Sequence, residues 1–117
     1  VLGMARAGMD LDAVASFHGS LATTTPAKKG DVKARVLVCH GAADPLVPEE
    51  QVAAFKKEMQ DAGADVQFVA YPGAKHGFTS KAADAKAAQF GLPLAYDAAA
   101  DKASWVLLQK FLAETWQ

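Results

Sequence analysis

Short continuous apolar runs alternate along this chain with stretches in which apolar residues recur at helical spacing, and the two periods predict an alternation of strands and helices. Val1 to Ala7 is a short helical segment that Gly8 stops, as a glycine just past a helix end commonly does. Ala13-Val-Ala-Ser-Phe17 is a short strand running into His18-Gly19, followed by a polar surface loop from Ser20 to Gly30 with Pro26 inside it. Arg35-Val-Leu-Val-Cys39 is apolar at consecutive positions, as expected of a parallel strand buried on both faces.

Pro48-Glu49-Glu50 opens a helix, since proline suits the first turn and acids favour the positive end of the helix dipole. Val52, Phe55, Met59 and Ala62 form its buried stripe, and Gly63 ends it. Val66 to Tyr71 is the next strand, from which Pro72-Gly73 turns the chain away. A loop with a short helix spans Lys81 to Phe90, broken by Gly91 and Pro93. The last helix runs from about Ala98 to Thr115, and its broad apolar face of Trp105, Leu108, Phe111 and Leu112 is expected to be core. Helical segments between strands imply crossovers and a mostly parallel sheet of about three strands flanked by helices.

Composition narrows the field. At 117 residues, with 51% hydrophobic and 21% charged, the chain fits a single globular domain with one modest core. Lys and Arg number 12 against 13 Asp and Glu, a formal net charge of -1, so no basic surface argues for nucleic acid or an anionic membrane. The apolar runs are too short to span a bilayer, and no secretory signal is visible. The single cysteine, Cys39, allows no intrachain disulfide and fits a cytoplasmic protein.

The chemistry gathers at strand ends. His18-Gly19, His40-Gly41 with Asp44, and Gly73 through Phe78 each follow a strand, and in an open α/β fold such positions share the ligand-binding edge. Asp44 and His76 have the makings of an acid and a base: histidine titrates near neutrality, and a carboxylate can orient it. Gly41 and Gly73 are expected to supply positive φ in the adjoining turns. On spacing alone, Asp44 before Pro45 reads equally well as a turn residue, and His76 as a solvated loop histidine. His18 and His40 read as structural. No pair of histidines or cysteines has metal-ligand spacing. Cys39 lies within a strand, without the sharp elbow that exposes a nucleophile, and reads as a buried thiol. Ser16 and Ser104 lack an elbow too.

Several segments, taken together, resemble one family. Ser16-Phe-His-Gly19, Val36-Leu-Val-Cys-His-Gly41 with Asp44-Pro45 and Val47-Pro48, Gln67-Phe-Val-Ala-Tyr71, His76-Gly-Phe78, and Tyr96-Asp-Ala-Ala-Ala100 with Ser104-Trp105 resemble the C-terminal half of a dienelactone hydrolase, a branch of the α/β-hydrolases. The resemblance implies that residues 1–117 are one partial α/β-hydrolase domain, with Asp44 as catalytic acid and His76 as catalytic histidine. It implies a Cys or Ser nucleophile on a Gly-x-Cys-x-Gly-Gly elbow just upstream of Val1, with the oxyanion hole beside it. The complete protein is then expected to hydrolyse small esters or lactones without metal or organic cofactor, while this chain alone is expected to be inactive. Family members acting on dienelactone itself carry an arginine shortly after the His-Gly-Phe motif, where this chain has Thr79-Ser80-Lys81. Lysine does not reproduce the bidentate fork, so a broader ester or lactone substrate is expected. The competing expectation is a non-catalytic module whose open sheet edge pairs with the missing N-terminal half or with a second copy.

Overall fold

The computed structural model describes residues 1–117, and its elements follow the two hydrophobic periods closely. Helix α1 (Leu2–Arg6) leads to strand β1 (Ala13–Phe17), strand β2 (Arg35–Gly41), helix α2 (Glu49–Ala62), strand β3 (Val66–Tyr71), helix α3 (Ala83–Phe90) and helix α4 (Ala98–Thr115). The three strands form one parallel sheet in the order β1-β2-β3, with Val14 beside Val36 and Val38 beside Phe68.

Strand β2 is central, and its alternation assigns a side to each residue. Val36 and Val38 pack with Val52, Phe55 and Met59 of α2 and with Leu2 and Ala5 of α1. Leu37 and Cys39 face the other way, into a cluster with Phe78, Ala100 and Phe111. Each of these β2 side chains is buried, which is why the run is apolar at every position. At α2 the expected stripe is the observed one, and Gly63 closes the helix in the left-handed conformation at φ 69°.

The loop between β1 and β2 is more tightly held than its polar composition suggests. Arg6 of α1 forms a two-pronged ion pair with Glu58 of α2, at 2.8 and 2.9 Å, and also donates to the Leu21 carbonyl. The second Glu58 function is to accept the Ala27 N–H at 2.8 Å. One buried carboxylate thus joins α1, α2 and the loop.

Helix α4 departs from expectation. Phe111 is buried, but Trp105 is 58% exposed and does not belong to the core. Six positions at about 100° each separate the two by about 240°, so they cannot share one narrow face. The buried positions are Ala100, Ser104 and Phe111, and Leu108 and Leu112 pack half-buried against that cluster, as expected of them. Asp97 caps this helix by accepting the Ala100 N–H at 3.0 Å. No helix is long and apolar enough to cross a membrane.

Candidate functional site

Beyond the carboxyl end of β2 the chain turns within a few residues: Asp44 N–H donates to the Gly41 carbonyl and Val47 N–H to the Asp44 carbonyl. The Asp44 side chain, fully withdrawn from solvent, accepts the Leu46 N–H through Oδ1 at 2.9 Å. Asp44 is therefore a turn residue. Its second oxygen is left over, and Oδ2 meets His76 Nδ1 at 2.8 Å. The two readings of Asp44 are compatible because the two oxygens have different partners.

His76 comes from the loop after β3, which bends through Gly73 at φ 76° and Gly77 at φ 75°. Gly73 thus has the positive φ expected of it. Gly41 does not; its constraint is proximity. A Cβ at Gly41 would lie 2.6 Å from the Ala74 carbonyl oxygen and 2.9 Å from that of Lys75. That close approach lets Ala43 N–H donate to the Ala74 carbonyl at 2.9 Å, binding the Asp44 turn to the His76 loop. On its other side the loop is held by Ala95 N–H, which donates to the His76 carbonyl.

With Nδ1–H directed at the carboxylate, His76 presents Nε2 as its free nitrogen; no group of the chain hydrogen-bonds to it. The His76 side chain is 29% exposed, so a reactant can reach the ring while the carboxylate behind it stays dry. An imidazole so held can take a proton at Nε2 and return it.

The other strand-end residues divide. His18 stands beside His76, ring centroids 5.7 Å apart at 68°, with its Nε2 2.8 Å from Thr79 Oγ1. Burial first, and then the neighbouring His76, hold its pKa below the ordinary histidine range. The structural role expected for His18 thus places it inside the site, a position that its strand-end location hinted at. His40 lies on the opposite face of the sheet from Cys39, with its ring against Phe68 and its Nδ1 buried without a partner. Its pKa is lowered, chiefly by burial. The expected convergence of three strand ends therefore holds for His18, Asp44 and His76 but not for the His40 side chain.

Cys39 is fully buried. Burial pushes its thiol up to about 11, against a hydrogen bond with Tyr71 that pulls it down, so almost no thiolate forms at neutral pH. The Tyr71 hydroxyl is itself pushed up to about 12, first by burial and then by Cys39. Within the chain, no three His, Cys, Asp or Glu side chains converge as metal ligands.

Comparison with known proteins adds lineage to this geometry. A model of the dienelactone hydrolase family matches residues 1–116. An uncharacterised protein of Caenorhabditis elegans is 38% identical over 104 residues, covering 87% of this chain and 63% of that protein. Among solved structures, a dienelactone hydrolase-like promiscuous phosphotriesterase from metagenomic libraries superposes with a TM-score of 0.84 at 38% identity, covering 97% of this chain and 46% of that one. A structure named m3DLH gives a TM-score of 0.87 at 39% identity over the same shares. The chain therefore spans about half the length of the solved relatives.

Proposed function

The chain belongs to the dienelactone hydrolase family, and we propose that the complete protein is a carboxylic ester or lactone hydrolase in which Asp44 and His76 are acid and base to a Cys or Ser nucleophile lying outside residues 1–117. The observation that carries this reading is the 2.8 Å contact between Asp44 Oδ2 and His76 Nδ1, with Nε2 left free. In the proposed reaction, Nε2 accepts the proton of the nucleophile as its sulfur or oxygen bonds to the ester carbonyl carbon. The resulting imidazolium, steadied by Asp44, gives that proton to the departing alkoxide. Water then attacks the acyl-enzyme, losing a proton to His76, and the carboxylic acid leaves as the nucleophile regains its proton. The scheme calls on no metal or organic cofactor.

Residues 1–117 are proposed to be one partial domain. β1 and β3 each pair only with β2, so each has a free edge. The proposed partner is the N-terminal half of the domain, with a second copy of the chain as the competing occupant of an edge. Cytoplasmic residence is proposed from the lone unpaired Cys39.

The test is hydrolysis of p-nitrophenyl esters by the protein encoded together with the residues upstream of Val1, with an aryl phosphotriester as a second substrate suggested by the metagenomic relative. Ester hydrolysis that falls about a thousandfold in His76→Asn supports the proposal. Full activity in that variant, or hydrolysis by the 117-residue chain alone, overturns it.

A further inference from the structure

His18 is gripped by the loop that carries His76, and the grip involves three of that loop's residues. Its Nε2 lies 2.8 Å from Thr79 Oγ1. Its ring meets Phe78 edge-on, centroids 5.1 Å apart at 77°, and His76 at 5.7 Å. Phe78 is fully buried and packs in the cluster beneath, so the contact is anchored.

The backbone is shaped to deliver this ring. His18 is the one non-glycine residue with positive φ, at 46°. Its N–H still continues the sheet ladder by donating to the Cys39 carbonyl at 2.8 Å. The chain leaves the strand direction immediately afterwards, with Gly19 so close that a Cβ there would lie 2.8 Å from Ser16 Oγ. A strained conformation held by its surroundings at a site is an observation from which function can be inferred.

The Asp44 bond alone does not fix the His76 ring. A single hydrogen bond at Nδ1 leaves the imidazole able to rock about that contact, which would swing Nε2. A second, lateral contact removes that freedom. Resting on the assignment of His76 as the base, we propose that His18 is a positioning residue for it: through its hydrogen bond to Thr79 and its ring contact with His76, it joins the turn after β1 to the loop after β3 and holds Nε2 in line with the nucleophile. Burial and the neighbouring His76 lower the His18 pKa, which favours the uncharged ring beside the base.

A double-mutant cycle in the full-length protein tests this, with p-nitrophenyl ester hydrolysis as readout. His18→Phe and Thr79→Val should each lower kcat about tenfold with little change in KM, and the double variant should be no slower than the slower single one. Thr79→Ser, which keeps the hydroxyl, should restore most of the kcat lost in Thr79→Val. Independent additive losses, a raised KM at unchanged kcat, or a harmless Thr79→Val would each overturn the tether. The His76 ring itself supplies the second measurement: its imidazole nitrogen NMR signals should broaden in His18→Phe and Thr79→Val, and unchanged signals overturn the proposal. Absence of ester hydrolysis in the wild type would count against the hydrolase reading, while the NMR signals still decide the His18 tether.

Discussion

Asp44 Oδ2 lies 2.8 Å from His76 Nδ1 across 32 positions of sequence, and the same carboxylate closes its own turn through Leu46 N–H. Asp44→Asn should keep the second bond and damage the first. The amide can still accept from Leu46 N–H, but its NH2 can now donate to Nδ1, which drives the His76 proton to Nε2 and blocks the base. In the full-length protein kcat should fall about 10³–10⁴-fold while thermal stability stays nearly constant. A steady-state assay beside a melting curve separates the two; a large drop in melting temperature with matching activity loss would make Asp44 a structural residue only.

Gly41→Ala should damage the site from behind. The new methyl would meet two backbone carbonyls, those of Ala74 and Lys75, which cannot step aside as a flexible side chain would. The expected cost is about 1–3 kcal/mol of overpacking strain, read as a shift in the urea midpoint. Because the displaced carbonyls flank His76, activity should fall further than stability alone explains. An unchanged midpoint would mean that the loop relaxes freely.

Most of the scaffold was legible in the sequence because burial and periodicity agree there. The consecutive apolar residues Val36 to Cys39 specify a central strand, and the Val52, Phe55, Met59 and Ala62 stripe specifies how α2 lies on it. Legibility ended where side-chain direction depends on angles that composition does not carry. Trp105 is exposed because it lies well around the helix from Phe111, whereas the small Ser104 is buried. Gly41 is constrained by its distance to Ala74, not by its own φ, and no local pattern reveals a contact with a residue 33 positions later. Asp44 and His76 stood out through their strand-end positions. His18 shared that strand-end position and read as structural, since only its left-handed backbone turns the ring onto the neighbouring loop.

Cys39 should be chemically silent in the native state. A thiol fully buried and raised to about 11 has little thiolate to offer an alkylating agent. Iodoacetamide at neutral pH should leave it unmodified until urea unfolds the protein, as mass spectrometry would show. Cys39→Ala should retain ester hydrolysis in the full-length protein. Loss of activity in a variant that keeps its fold would return this thiol to the list of candidate nucleophiles.

The Arg6–Glu58 pair supplies a pH-dependent prediction. Burial raises the Glu58 pKa, but hydrogen bonds from Arg6 and Ala27 N–H, with the Arg6 charge, outweigh it and the net shift is downward from 4.5. A carboxyl whose folded pKa is depressed contributes stability that is present above its unfolded value and is lost as pH falls through the folded one. Arg6→Met leaves Glu58 buried beside an apolar chain, so near pH 7 it should cost about 3–5 kcal/mol. The unpaired Glu58 then has a raised pKa and takes up a proton in mild acid, which relieves the variant first. At lower pH the wild type protonates Glu58 and loses its own advantage. The stability gap between the two proteins, followed by urea unfolding from pH 7 downward, should therefore narrow as acid is added. Glu58→Gln combined with Arg6→Met should remove most of that pH dependence. A gap that stays constant or widens on acidification would mean that the pair contributes by packing alone.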